Sequence, residues 1–176
     1  MSRVRVYLGC SLDGCIAGKN GEIDWLHNPA YSLPGEDFGY SDFMQSVDVI
    51  AMGKNTFEKV LELSEWPFAG KRVVVLSRSL AALPAGVPAQ LSNETPAAFV
   101  VRLRGEGAGR VYVDGGRLIS SFLAAGLVTD LTLTRIPILL GEGLPLFSGL
   151  PNRLPLQHIA TRTWSNGFVQ SSYGAG

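Results

Sequence analysis

At 176 residues the chain has the size of one domain with a real core, and its 46% hydrophobic and 17% charged residues are ordinary for a globular α/β protein. Fifteen basic residues cancel fifteen acidic ones and no basic stripe is visible, which argues against nucleic acid as a partner. No run approaches the ~18 apolar residues of a membrane span. MSRVRVYLGC is too short and too interrupted by Arg for a signal peptide. Two cysteines, Cys10 and Cys15, make no disulfide framework, so a reduced cytoplasmic setting is expected.

Val4, Val6 and Leu8 alternate with Arg3, Arg5 and Tyr7, the pattern of a first strand. SLDGCIAGKNGEIDWL follows as a long loop with turn signals at Asp13-Gly14 and Asn20-Gly21 and an apolar middle, Ile16-Ala17. Trp25 closes it, either as the pin of a surface Ω-loop or as part of a site. Pro34-Gly35-Glu36-Asp37 is expected to open a helix that buries Phe38, Phe43, Met44 and Val47, with Asp37 a favourable first-turn acid. VDVIAM, ending at Met52, reads as a buried strand. Gly53-Lys54-Asn55-Thr56 then leads into a helix, with Asn55 as N-cap and Glu58 three residues on. Lys54, Thr56 and the free amides there would form a phosphate site.

Val73 to Leu76 is another buried strand and ends in Ser77-Arg78-Ser79, at the sheet edge where ligands bind in α/β folds. The same turn can equally be a solvated arginine between two hydroxyls. Leu80 to Leu91 reads as loop with a short strand. Thr95-Pro96 is an N-cap followed by Pro at N1, and the helix it starts runs towards Arg104 before Gly105, Gly107 and Gly109 break it.

Arg110 to Asp114 is a short strand running into Gly115-Gly116, and Leu118, Ile119, Phe122 and Leu123 recur at helical spacing. Gly126 closes that helix, and Leu131, Leu133 and Ile136 lie on the next strand. Paired glycines at a strand end let the backbone approach a flat ligand, and the helix N-terminus behind them suits a phosphate. A tight βα turn without a ligand explains the pair as well. The Gly141-Glu142-Gly143 turn carries no chemistry and reads as structural. Ile136, Ile138, Leu139 and Leu140 look like more apolar surface than one core can use. Asn166-Gly167 between two β-prone runs predicts a closing antiparallel hairpin. The two histidines, His27 and His158, have no ligand spacing, so no metal site is expected.

VYVDGG, FLAAGLVTDLTL and PILLGEGLPLF, with SLDGCIAG, MGKNTFE and VVVLSRS before them in the same order, resemble the reductase domain of riboflavin biosynthesis and its free-standing relatives. These belong to the dihydrofolate-reductase-like fold. The resemblance implies a single domain over residues 1–176, a three-layer α/β/α architecture with a mixed, mostly parallel sheet, and a homodimer. It implies NADPH as cofactor, with the nicotinamide bordered by the first strand and by Ile16 and Ala17. Phosphates would meet Gly53, Lys54, Asn55 and Thr56, with Lys54 standing where Arg is usual. The adenosine half, including the 2′-phosphate, would meet Ser77, Arg78 and Ser79, and the glycine pair with its neighbours Asp114, Gly115, Gly116, Arg117 and Leu118 would cradle the cofactor. A cis peptide between the two glycines is implied as well. Asp37, fifteen residues before Met52, matches the register of a substrate-binding carboxylate. Asp37 is therefore the first candidate catalytic group and substrate handle, Asp13 the second, and Trp25 a candidate substrate contact. The zinc deaminase signature of the bifunctional riboflavin enzyme is absent.

The expected function is an NADPH-dependent reductase of a pterin-like or pyrimidine-like heterocycle, of the dihydrofolate reductase or riboflavin-pathway type. The alternatives are an NADP(H)-binding protein without turnover, such as a dimeric sensor, and a bare structural domain. Beyond Lys54 and Arg78 no basic cluster is free for a substrate phosphate.

Overall fold

The structure, a computed structural model, describes residues 2–175. Ten strands and four α-helices follow in order: β1 (Arg3–Ser11), β2 (Cys15–Gly18), α1 (Tyr40–Gln45), β3 (Val49–Gly53), α2 (Lys54–Leu61), β4 (Arg72–Leu76), β5 (Gln90–Ser92), α3 (Pro96–Gly105), β6 (Arg110–Asp114), α4 (Gly116–Ala124), β7 (Asp130–Ile136), β8 (Gly143–Pro145), β9 (Leu156–Thr163) and β10 (Val169–Ala175). Eight strands form one sheet in the order β5-β4-β3-β6-β1-β7-β10-β9. Pairings from β5 to β7 are parallel, and β10 then runs antiparallel to both β7 and β9.

Alternation along the central strands builds two cores. Val49, Ala51, Val74, Val111 and Val113 face α3 and α4, where they pack with Phe99, Leu103, Ile119 and Phe122. Ile50, Met52, Val73, Val75 and Tyr112 face α1 and α2, against Phe43 and Phe57. Strands buried on both faces read as continuous apolar runs, which is why VDVIAM and VVVL were legible. The layers are therefore α/β/α around a mostly parallel sheet.

Local chemistry sets the boundaries. The Thr95 hydroxyl accepts a hydrogen bond from Ala98 N (3.3 Å) with Pro96 in the first turn, the expected start of α3. Gly126 (φ 64°) ends α4, with Leu127 N bonding back to Phe122 O at 3.0 Å.

Three expectations are corrected. Asn55 does not cap α2: the helix begins directly at Lys54, and extended Gly53 is its N-cap without a side-chain bond. The helix expected from Pro34 starts only at Tyr40, because Phe38 (φ 59°) and Gly39 (φ 86°) are left-handed. Phe38 is held there from two sides. Its carbonyl accepts from the Tyr7 hydroxyl and from Gln170 Nε2 (3.0 Å), and its ring packs on Trp164 and Phe168. Finally, Ile16-Ala17 is not loop but part of β2, which pairs with β8 as a separate two-stranded ribbon. The Gly141-Glu142-Gly143 turn, expected to be structural, leads into that partner strand.

A third cluster lies beyond β7 and β10: Trp25, Ile136 and Phe168 are buried, with Leu26, Tyr31, Phe38, Ile138, Leu140 and Trp164 against them. Ile136, Ile138 and Leu140 are thus used within the chain, and of the supposed apolar surplus only Leu139 is exposed. The closing hairpin forms as expected, though over a wider loop, with Trp164 N bonding Phe168 O and Gly167 at φ 86°.

Candidate functional site

β3 and β6, far apart in sequence, are parallel neighbours in the sheet, so their C-terminal turns lie side by side. A Cβ on Gly115 would overlap the Thr56 hydroxyl at the start of α2, and one on Gly53 would sit 3.9 Å from Leu118 Cβ in α4. Two helix N-termini, those of α2 and α4, therefore open at one place. Each carries free amides and a positive dipole end, suited to a polyanion. Gly115 has φ 99° and ψ 130°, close to a region only glycine occupies cheaply.

Gly116 is tight for another reason. Its Cβ would lie 2.9 Å from Ile16 Cδ1 and 3.3 Å from the carbonyls of Pro145 and Leu146. The β2–β8 ribbon thus leans on the glycine pair and brings Ile16 to the turn. No peptide among the described residues is cis, so the cis Gly115–Gly116 bond implied by the resemblance is not found. Close approach to the ribbon and the positive φ of Gly115 account for the pair without it.

The structure thereby gathers Ile16, Gly53, Thr56, Asp114, Gly115, Gly116 and Leu118. Ala17 is buried in the ribbon, Asn55 and Arg117 are exposed on the first turns of α2 and α4, and Lys54 lies 3.7 Å from Glu58 as a surface pair. Ser77, Arg78 and Ser79 sit one strand further out, after β4. There the Ser77 hydroxyl accepts from Ser79 N and Leu80 N, both at 3.2 Å, and Arg78 is exposed. Beside them a cavity of about 390 Å³ is lined by Ser77, Leu80, Ala81, Leu91, Ser92 and Asn93.

The two candidate carboxylates are engaged elsewhere. Asp37 accepts from Gly39 N and Ser41 N (both 2.9 Å), and its bonds to Ser41 and then Gly39 hold its pKa below the usual range. Asp13 accepts from the Ser11 hydroxyl (2.5 Å), Gly141 N (2.8 Å) and Leu140 N (3.2 Å), with its pKa lowered by those bonds, Ser11 first. It ties the end of β1 to the turn before β8. Trp25 is 7% exposed and donates its indole N–H to Glu22 O, so it packs the third cluster and does not line the turns.

Asp114 behaves differently. It is half-buried at the end of β6, and burial pushes its pKa up to about 6 against the opposing bonds from Tyr112 and Gly115 N. Tyr40, at the start of α1, faces it, and the Tyr40 phenol is raised first by burial and then by the Asp114 charge. Tyr112 lies behind, its hydroxyl donating to Tyr7 O at 3.1 Å. No ion pair involves Asp114 among the described residues. Tyr112 lies two residues back on the same strand, but Tyr40 comes from another stretch of the chain and no spacing connects it to Asp114.

The family model of the RibD C-terminal domain matches residues 3–170. The chain belongs to that family. Bacillus subtilis YwjB, a relative described as uncharacterized, is 34% identical over 171 residues, covering 96% of this chain and 95% of that protein. A solved structure from Shewanella sp. PV-4, named for riboflavin biosynthesis, is 35% identical with a TM-score of 0.91, covering 100% and 99% of the two chains. A pyrimidine reductase-like protein of Corynebacterium diphtheriae shares the fold at 16% identity, with a TM-score of 0.70 and coverage of 99% and 92%. This RibD C-terminal-type domain shows no cluster of three or more potential metal ligands among its described residues. No helix among those residues is long and apolar enough to cross a membrane.

Proposed function

We propose that the protein is an NADPH-dependent reductase of a flat pterin-like or pyrimidine-like heterocycle. The observation that carries this is the joined pair of turns, Gly53–Thr56 and Asp114–Gly116, under the Ile16 ribbon. The strand order β4-β3-β6-β1 lays the Ser77–Ser79 turn, the Lys54–Thr56 turn, the glycine pair and the end of β1 along one sheet edge. Adjacent strands are about 4.8 Å apart, so these stations span roughly the length of an extended dinucleotide. Adenosine would lie at the Ser77 cavity, phosphates at the two helix ends, and nicotinamide near Ile16. The nicotinamide supplies the hydride when bound; the chain's own part is to hold two rings in contact and keep water out. Thermal shift with NADPH tests binding, and loss of 340 nm absorbance with candidate heterocycles separates a reductase from a protein that binds without turnover.

NADPH preference over NADH is assigned to Arg78, exposed beside the Ser77 cavity. A charge-assisted bond to the 2′-phosphate contributes about 1.5–3 kcal/mol. Arg78→Ala should weaken NADPH about ten-fold or more and leave NADH nearly unchanged; titration of both cofactors checks it, and equal losses would show that Arg78 does not read that phosphate.

Dimerisation is proposed through the sheet edge. Every residue of β9 is exposed, including Leu156 and Ile159 at 62%, with Leu154 and Val169 beside them. An unprotected edge strand with apolar side chains is normally covered. Light scattering should give twice the chain mass, and Ile159→Lys should give the monomer; a monomeric parent at micromolar concentration removes the proposal.

A further inference from the structure

We infer that Asp13 is a positioning residue for the nicotinamide half of the cofactor: its carboxylate gathers the starts of β2 and β8, and so aims Ile16 at the glycine pair. The inference rests on the reading as an NADPH-dependent reductase and adds to it how the ring end of the site is held.

The β2–β8 ribbon cannot hold itself in place. β8 has three residues and pairs only with β2, and an isolated pair of strands is marginally stable at best. Its position therefore depends on what fastens it. At the end of β8 Leu146, 2% exposed, joins the core that α3 and α4 cover, and its N–H donates to Gly14 O at 2.9 Å. At the start of β8 the fastening is Asp13. Two successive amides donate to it, Gly141 N to Oδ2 at 2.8 Å and Leu140 N to Oδ1 at 3.2 Å. The Ser11 hydroxyl donates to Oδ1 at 2.5 Å and accepts from Cys15 N, the first residue of β2, at 2.9 Å. One carboxylate thus joins the beginnings of both strands. The other tie, Lys19 to Glu142, is an exposed ion pair and contributes little.

The ribbon is built to aim one side chain. Cys15 stands opposite Pro145 and Ala17 opposite Leu144, which leaves Ile16 as the extra residue of a β-bulge. Bulges re-aim a side chain, and Ile16 is the one that reaches Gly116, with Cδ1 2.9 Å from where a Cβ would stand. Across the ribbon a Cβ on Gly143 would lie 2.6 Å from Ala17 O. A one-residue slip of β8 would set a side chain where only Gly143 fits, so holding residues 140 and 141 holds the register and with it the aim of Ile16. Both oxygens of Asp13 are occupied in this way, so it acts through the ribbon and touches neither ring.

The test compares two ligands of the whole protein by calorimetric titration. NADPH spans the Ser77 cavity, the helix ends and Ile16; adenosine 2′,5′-bisphosphate lacks the nicotinamide and never reaches the ribbon. Asp13→Ala should weaken NADPH about ten-fold and leave adenosine 2′,5′-bisphosphate within about two-fold. Asp13→Asn, whose amide oxygen can still accept from Gly141 N, should show a smaller loss of the same selective kind, and it decides the matter if Asp13→Ala does not fold. Ile16→Ala should weaken NADPH as well, and the double variant should lose no more than the larger single loss, because both changes remove one contact. Lys19→Ala should bind both ligands like the parent. Failure of the parent to bind NADPH overturns the reductase reading and this assignment with it. A parent that binds NADPH, with folded Asp13 variants that bind it equally well, that lose both ligands alike, or that add their loss to that of Ile16→Ala, overturns the assignment of Asp13 and leaves cofactor binding standing.

Discussion

Gly116→Val is expected to remove NADPH binding, by two orders of magnitude or about 2.7 kcal/mol. The substituted side chain has nowhere to go. Its Cβ already presses on Ile16 Cδ1 at 2.9 Å and on the carbonyls of residues 145 and 146 at 3.3 Å, and two further methyl groups must push the β2–β8 ribbon off the glycine pair. Cofactor space is then lost indirectly, through displacement of Ile16 and of the amides at the start of α4. Gly115→Ala reaches the same result by another route. At φ 99° an added Cβ is strained by about 1–3 kcal/mol, and it overlaps the Thr56 hydroxyl. Isothermal titration with NADPH, beside urea unfolding without cofactor, separates lost binding from lost folding. A folded Gly116→Val protein that binds like the parent would remove the centre of the functional reading.

The largest effect on stability is expected from Phe122→Ala, about 3–5 kcal/mol. Phe122 is fully buried between α4 and the sheet, edge-on to Phe99 of α3 at 6.4 Å between ring centres. Truncation leaves a cavity that neither helix can close, since Phe99, Leu103 and Ile119 are themselves fully enclosed. Because the site stands at the other end of α4, NADPH affinity of the folded fraction should change little. Urea denaturation measures the loss; less than about 1 kcal/mol would mean the site collapses around the gap.

What was legible in the sequence was local. Val49–Met52 and Arg110–Asp114 announce buried strands by composition, Thr95-Pro96 writes its own helix start, and the glycine pair marks the turn that the fold places at its centre. What was illegible depends on residues far apart in the chain. Ile16 looks like a loop residue until Gly143–Pro145 arrives to pair with its strand. Phe38 sits inside an apparently helical pattern, but hydrogen bonds from Tyr7 and Gln170 hold its carbonyl in another conformation. Asp37 has the expected register, and its bonds to Gly39 N and Ser41 N, which no register predicts, shape the turn before α1. Asp114 sat beside the glycine motif, but its shifted acidity comes from burial, with Tyr112 two residues back on its own strand and Tyr40 on a helix that no spacing rule connects to it. The cis glycine bond came with the resemblance and had no support in the residues.

The position of β1 in the sheet bears on how the molecule is made. β1, made before every other strand of this sheet, is hydrogen-bonded on one side to β6 and on the other to β7, with Arg3 opposite Arg110 and Arg5 opposite Asp130. Neither partner exists until most of the chain has been synthesised. The earliest strand is thus completed late, and its buried valines, Val4 and Val6, must wait uncovered while β3 and β4 can already pair. Closing so long a loop costs entropy before any contact repays it, which places this topology among the slower-folding architectures. A chain stopped short of β7 would leave one whole side of β1 unpaired, an open edge where the complete sheet has its interior.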